Sequence, residues 1–151
     1  MVSSNSSEQI ILQPATFESE SLIYDYTCLL EDEMLKQGRF NQIFRENISS
    51  PDWAIFLIQY RGISIGFCSL HFKNSLHHAS RIAELEEFFI VSKARGKGYG
   101  QQTIELLKKQ CTQRYIYQME VSTNKKRQKA HSFYVATGFK DSHHKLVMEL
   151  N

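Results

Sequence analysis

Apolar positions along the chain follow two rhythms, one of period two and one of period 3.6, and the switches between them mark its elements. Gln9–Gln13 is a short apolar run halted at Pro14, which predicts a strand. Between Glu18 and Gln37, Leu22, Ile23, Tyr26, Leu29, Leu30 and Met34 recur along one helical face, and Gly38 is the expected stop. Phe40–Asn47 predicts a second, short helix carrying Phe40, Ile43 and Phe44, with Ile48 next, ahead of Pro51. Trp53–Tyr60 and Ile63–Phe72 are β-rich runs joined by Arg61-Gly62, a hairpin turn. The polar Lys73–Ser80 predicts a loop and Arg81–Val91 a strand. A helix over Tyr99–Gln113, a strand over Tyr115–Ser122 and a helix over Arg127–Thr137 follow, the last capped by Gly138. Phe139–Leu150 predicts one or two closing strands. The order is β-α-α-β-β-β-α-β-α-β.

The join between the strand ending near Ser92 and the helix from Tyr99 carries the densest chemistry. Gly96, Gly98 and Gly100 alternate there with Arg95, Lys97 and Tyr99. Free backbone N–H groups, the positive end of a helix dipole and two cations converge, which suits a phosphate. The spacing excludes two common phosphate loops. No Lys-Ser or Lys-Thr follows the last glycine, and Gln101 stands where a dinucleotide fingerprint needs glycine.

Composition narrows the class further. The 151 residues fit one domain over 9–151, behind a Ser-rich stretch over 1–8 that reads as flexible. Hydrophobic residues at 42% and charged residues at 23% are ordinary for a globular protein, and a net charge of +2 argues against nucleic acid or membrane as the main partner. Met1–Gln9 lacks the apolar core of a signal peptide, and no apolar run reaches membrane-spanning length. Cys28, Cys68 and Cys111 are widely spaced, odd in number and without a C-x-x-C pair, so reduced cysteines of a cytoplasmic protein are expected.

Read as R-x-x-G-x-G, Arg95–Gly100 resembles the pyrophosphate loop of the GCN5-related N-acetyltransferase (GNAT) family, and the element order resembles the family's over nearly the whole chain. A second block, Asn124, Arg127, Ala130, Phe133-Tyr134 and Gly138-Phe139, resembles the family's N-x-x-[RA]…A…F-Y…G-F run. The resemblance implies a single-domain α/β (α+β) fold, with a mixed, mostly antiparallel twisted sheet of six or seven strands flanked by about four helices. It implies acetyl-coenzyme A as donor and transfer of the acetyl group to the primary amine of a small molecule. Arg95, Gly96, Lys97, Gly98, Tyr99 and Gly100 would hold the pyrophosphate. The main chain of Phe88, Phe89, Ile90 and Val91, with Asn124 and Phe133, would line the pantetheine and thioester. Tyr134 would protonate the departing thiolate. The basic Lys125-Lys126-Arg127 reads as a solvated turn and helix start, with a role open near the 3′-phosphate.

Leu76-His77-His78, Ala83–Glu87, Ala94-Arg95-Gly96, Ser122-Thr123-Asn124, Ala130-His131 and Ser142-His143 together resemble a small bacterial branch that includes the aminoalkylphosphonate N-acetyltransferases. Ser92 departs from the proline many relatives carry, and Phe88-Phe89 from their aliphatic pair. The bulky rings would narrow an acceptor pocket.

An alkylammonium has a pKa of about 10, so transfer at neutral pH needs a base. Glu84 and Glu87 are the candidates; Glu86 also fits a solvated strand face. Plain alternation sends Glu84 and Glu86 to one face with Phe88 and Ile90, and Glu87 to the other with Leu85 and Phe89. Acids here favour a cationic acceptor; a phosphonate would need a compensating cation, either Arg and Lys side chains or a divalent metal held by His77 or His78 with His143. Adjacent histidines point opposite ways in extended chain, so surface roles are the expectation and no metal ligands are assigned. Trp53 reads as core. A protein or peptide N-acetyltransferase and a non-catalytic acyl-coenzyme A sensor remain alternatives, and a homodimer is left open.

Overall fold

A computed structural model describes residues 8–151, so the expected flexible stretch falls outside the described residues apart from Glu8. The elements are β1 (Ile10–Pro14), α1 (Glu20–Glu31), α2 (Gln37–Ile48), β2 (Trp53–Tyr60), β3 (Ile63–Ser75), β4 (Ser80–Ile90), α3 (Tyr99–Thr112), β5 (Met119–Val121) and α4 (Gln128–Ala136). They form one sheet in the order β1-β2-β3-β4-β5. The first three pairings are antiparallel and β4–β5 is parallel. Among the described residues no helix is long and apolar enough to cross a membrane.

Both sheet faces are covered. Ile58, Leu70 and Leu85 pack with Ile104 and Leu107 of α3, and Phe133 and Tyr134 of α4 join that cluster. On the opposite face Ile23 and Tyr26 of α1 and Phe44 of α2 close over Leu57, Phe67 and Phe89. Each fully buried aliphatic contributes about 1.5–3 kcal/mol. Pro14 sits at the end of an edge strand, where a missing N–H costs no ladder bond. The β2–β3 turn places Arg61 at φ +52° and Gly62 at φ +75°, both positive, as the twist of a two-residue hairpin requires.

Three expectations need correction. The first helix ends at Glu31 rather than Gln37: Asp32 turns left-handed at φ +52° and the Glu33 N–H bonds the Cys28 carbonyl, while Gly38 lies inside α2. The strand expected over Tyr115–Ser122 shrinks to Met119–Val121. Phe139–Leu150 forms no strand, so the sheet has five strands among the described residues, not six or seven. Three residues of β5 offer too few backbone groups to hold a further strand by themselves.

The fourth correction concerns β4. Ser69 of β3 pairs with Glu87, but its neighbour Leu70 pairs with Leu85, so Glu86 is an extra residue, a β-bulge. The bulge shifts the alternation by one. Ala83 and Leu85 before it, and Phe88 and Ile90 after it, all face α3. Glu87 and Phe89 face α1 and α2. Glu84, next to Leu85, therefore shares the Glu87 face and not that of Phe88.

Opposite this segment, β3 offers Gly66. A Cβ there would lie 1.9 Å from the carbonyl oxygen of Phe89, so only glycine lets β4 run this close. Gly66→Ala is expected to push β4 outward and cost about 1–3 kcal/mol, read as a lower denaturant midpoint.

Candidate active site

Gly96 at φ +75° and Gly98 at φ +83° hold the left-handed turns that lead into α3. No side chain caps that helix, and its first backbone bond runs from the Gln102 N–H to the Gly98 carbonyl. The N–H groups of Tyr99, Gly100 and Gln101 are thus free at the positive end of the helix dipole. Gly100 serves another purpose: a Cβ there would meet the Phe133 ring at 2.9 Å, so it lets α3 and α4 approach. Arg95 donates from Nε to the Ile90 carbonyl at 2.7 Å and lies over the Phe89 ring, 5.5 Å from its centroid, with its terminal nitrogens unbonded. Among the described residues no carboxylate pairs with Arg95 or Lys97. Free donors, two unpaired cations and open space at Gly96 and Gly98 fit a pyrophosphate.

The strand leading to this loop is open on one side. β5 follows β4 only as far as Leu85, opposite Val121. Beyond that point β4 keeps its bonds to β3 alone. The Val91 N–H reaches the Ile65 carbonyl, so by alternation Phe89 also turns toward β3. Phe88 and Ile90 turn their N–H groups into the splay. Of the four residues expected to line a thioester through their backbone, Phe88 and Ile90 have donors available, and Phe89 and Val91 do not.

Tyr134 of α4 lies across the splay, its ring 6.3 Å from that of Phe88 and packed against Phe133 and Phe139. Burial pushes its phenol up to about 12, with Arg127 opposing the shift and Cys68 adding to it. Tyr134 therefore keeps its proton at any physiological pH. Asn124 is exposed; its side-chain oxygen accepts the Lys126 N–H at 2.9 Å, closing the turn before α4, and its amide nitrogen remains available.

On the other face of β4 lies a small cavity of about 220 Å³, roofed by α1 and α2. Trp53, Phe40, Phe44 and Phe67 give it aromatic walls, and Glu87 and Ser69 form its polar end. The Ser69 hydroxyl donates to the Glu87 carboxylate and accepts the Glu87 N–H at 3.2 Å. Burial raises the Glu87 carboxyl; the Ser69 bond opposes the rise, and Glu86 and Glu31 add to it. No lysine, arginine or histidine lines this cavity among the described residues. Glu84 instead binds Lys73 at 2.8 Å. Glu86 approaches His71 at 3.8 Å and is raised by burial and by Glu84. Of the three acids only Glu87 lines the cavity.

A far larger cleft of about 1350 Å³ opens between β5, α4 and the C-terminal segment. It touches Tyr134, yet no residue of the glycine loop and neither Glu84 nor Glu87 lines it. It runs along β5, which with the segment 140–145 forms part of its walls. His77, His78 and His143 all line the large cleft. His78 lies 3.5 Å from Glu120, and His143 bonds Ser142. Among the described residues no group of three or more His, Cys, Asp or Glu side chains is arranged to hold a metal ion.

The family model described as Acetyltransferase (GNAT) family matches residues 17–139. The chain belongs to this family. It is 32% identical over 139 residues to the aminoalkylphosphonate N-acetyltransferase of Salmonella typhimurium, spanning 92% of this chain and 90% of that protein. This GNAT protein is thereby an acyltransferase of the N-acetyltransferase kind. A transcriptional regulator from Bacillus halodurans shares its fold with a TM-score of 0.83 at 21% identity, covering 94% of this chain and 100% of that one. An aminoglycoside N-acetyltransferase solved with CoA shares it with a TM-score of 0.82 at 15% identity, covering 94% and 95%. At such identities the likeness concerns the fold alone.

Several contacts in this GNAT chain lie beyond the expected set. Ser69 carries no motif; only its register opposite Glu87 marks it. Trp53, expected in the core, walls the small cavity and stacks on His71 with centroids 4.4 Å apart. Arg127, expected as a solvated turn residue, donates to the Leu30 carbonyl at 2.8 Å and lies 3.7 Å from Glu31.

The raised Glu87 carboxyl has a consequence for stability. The folded chain keeps this proton to higher pH than the unfolded chain does, so the contribution is full below the ordinary carboxylate range and is lost as pH rises through the raised value. Glu87→Gln is expected to flatten that decline and to melt no lower than the parent at pH 8, measured by thermal denaturation from pH 4 to 8.

Proposed function

We propose that this chain moves the acetyl group of acetyl-coenzyme A to the primary amine of a small cationic acceptor by direct attack on the thioester. One observation carries the reading: a buried carboxylate, Glu87, closes a small aromatic cavity on the strand whose edge opens into the β4–β5 splay. Acetyl-coenzyme A supplies the activated acetyl group. Arg95, Lys97 and the free N–H groups at the start of α3 hold its pyrophosphate, and Asn124 and Phe133 flank the arm. The N–H groups of Phe88 and Ile90 face the carbonyl whose oxygen gains charge during attack; one such donor is worth about 3 kcal/mol.

Glu87 draws the ammonium into the cavity and takes its proton. Its raised affinity for protons suits this task, since a base works best when its pKa approaches the working pH. Tyr134, protonated throughout, gives its proton to the leaving sulfur as the carbon–sulfur bond breaks. Glu84, held by Lys73, has a structural part.

Cavity size and charge support a small acceptor. About 220 Å³ lies below the usual range of roughly 300–1,000 Å³ for drug-sized ligands, which disfavours aminoglycosides and peptides. With Glu87 at its polar end and no cation in its walls, the cavity suits an alkyl or arylalkyl ammonium. A second reading, an aminoalkylphosphonate, is favoured by the Salmonella typhimurium relative; its anion would have to stay outside this cavity. A silent sensor would need neither Glu87 nor Tyr134. With this donor, the cytoplasm is the compartment the reading assigns.

Thiol release from acetyl-coenzyme A across simple alkylamines, arylalkylamines, aminoalkylphosphonates, aminoglycosides and peptides tests the proposal. Small uncharged-tail amines should show the highest kcat/KM. Turnover of peptides alone, or coenzyme binding with no turnover of any amine, would overturn it. Gly98→Glu should abolish coenzyme A binding in calorimetry, because a carboxylate would enter the phosphate cradle and a side chain would strain the positive φ.

Glu87→Gln should lower kcat/KM by roughly 10²-fold or more and remove the rise of kcat/KM through the raised Glu87 titration, leaving the limb set by the amine itself. Glu84→Gln should change it far less. Tyr134→Phe should lower kcat by roughly 10²-fold with coenzyme affinity nearly unchanged.

A further inference from the structure

The small cavity has a second polar position that proton removal from the amine does not use. Thr27 and Asn47 line it besides Ser69 and Glu87, and the remaining lining is aliphatic or aromatic. Three of these polar side chains already have partners. Ser69 and Glu87 bond each other, and the Thr27 hydroxyl donates its only proton to the Ile23 carbonyl at 2.7 Å. Asn47 differs. The side-chain hydrogen bonds of α2 and the turn after it run through Arg39, Gln42, Arg45 and Ser50, and among the described residues none engages the Asn47 carboxamide. An asparagine in a helix commonly bonds nearby backbone with its side chain; this one keeps a donor and an acceptor in hand beside an apolar cavity.

Asn47 and Glu87 stand on opposite sides of that cavity. Its floor crosses three neighbouring strands, with Glu87 on β4, Phe67 and Ser69 on β3, and Trp53 and Ile55 on β2. Above the floor, α1 packs on β4 and β3, and α2 packs on β2. Asn47 lies in the last turn of α2 and so belongs to the β2 side. Two strand spacings, about 9–10 Å, separate the backbones of β2 and β4. A carboxamide without charge both donates and accepts, and a hydroxyl is the smallest group that answers both. A second ammonium would satisfy only its oxygen, and a carboxylate or phosphonate only its nitrogen. Either ion would also lack a counter-charge, because Glu87, on the far side, is the sole ionisable lining group among the described residues.

We infer that Asn47 sets acceptor specificity by receiving a hydroxyl at the tail of the acceptor, so that the preferred substrate is an amine and a hydroxyl held apart by an apolar spacer. The inference rests on the acetyl-transfer reading of the same cavity and names its substrate class. Glu87 takes the ammonium end, the aromatic walls take the spacer and Asn47 takes the tail. Chemistry at the nitrogen stays as described: the carbon–nitrogen bond forms, the carbon–sulfur bond breaks, and the ammonium proton goes to Glu87. The hydroxyl is held and not acetylated, since it lies on the side of the cavity away from β4. Asn47 is half-buried, so water can reach its carboxamide when the acceptor has no hydroxyl. The expected preference is therefore about tenfold, far below the 10⁴ or more of fully buried polar sites.

Matched acceptors test this by thiol release from acetyl-coenzyme A: pentylamine against aminopentanol, and phenethylamine against its para-hydroxy derivative. The hydroxylated member should have about tenfold higher kcat/KM in at least one pair. Asn47→Leu should bring that ratio to about one. Asn47→Asp, nearly isosteric, should turn the preference from aminopentanol to pentanediamine, whose second ammonium then gains a counter-charge; this variant also keeps the test open should the leucine fail to fold. Equal rates within both pairs for the parent overturn the inference and leave the acetyl-transfer reading standing, whereas no turnover of any amine overturns both. A hydroxyl preference that survives Asn47→Leu overturns it as well. So does an equal loss for both members of a pair in both variants, which is the mark of a packing role.

Discussion

One inserted residue in β4, Glu86, decides how the two faces of the sheet divide their work. Without it, Leu85 and Phe89 would fall on the same side and Glu87 would sit among them in a regular alternation. With it, Ala83 and Leu85 before the bulge and Phe88 and Ile90 after it all feed the core under α3, while Phe89 packs on the other face. Glu87 turns to the face roofed by α1 and α2, where it meets Ser69. A bulge also raises the local twist of a strand. Here that coincides with the place where β4 parts from β5. The same irregularity thus aims a carboxylate one way, and the strand beyond it exposes N–H groups another way.

The close approach at Gly66 belongs to the same geometry. β4 crosses β3 so tightly there that no side chain fits, which holds Phe88–Ile90 at a fixed distance from the rest of the sheet. Gly100 does for α3 and α4 what Gly66 does for the strands. The aromatic group of Phe88, Phe133, Tyr134 and Phe139 fills the angle between them. A phenol in that packing keeps its proton because it is dry.

The glycine loop and the helix it opens were legible because each is a local signal, backbone permissiveness and a cation beside a glycine, while the Phe133-Tyr134 pair came with the family resemblance. The hairpin at Arg61-Gly62 followed from the same local logic, whereas the mostly antiparallel sheet came with the family resemblance. The bulge was not legible. Leu-Glu-Glu-Phe-Phe carries no glycine or proline to mark an interruption, and its register is set by β3, far away in sequence. Strict alternation therefore put Glu84 on the wrong side of Glu87. The stop of α1 at Asp32 was hidden because a non-glycine residue took the left-handed turn. Ser69 had no local mark at all, and Arg127, marked only as part of a basic turn, gave no sign of its partners, which come from α1. The closing strand was legible as a pattern, but pairing depends on an edge as well as on the strand.

Arg127 links parts of the fold that the chain itself keeps far apart. Its guanidinium satisfies the Leu30 carbonyl at the negative end of α1 and lies beside Glu31, while its charge is felt by Tyr134. The roof over the small cavity and the helix carrying the phenol are consequently tied by a single side chain. Shortening it to lysine would keep the charge but lose the forked reach. Through this cross-brace, a shift of α1 on one face of β4 reaches the start of α4 on the other.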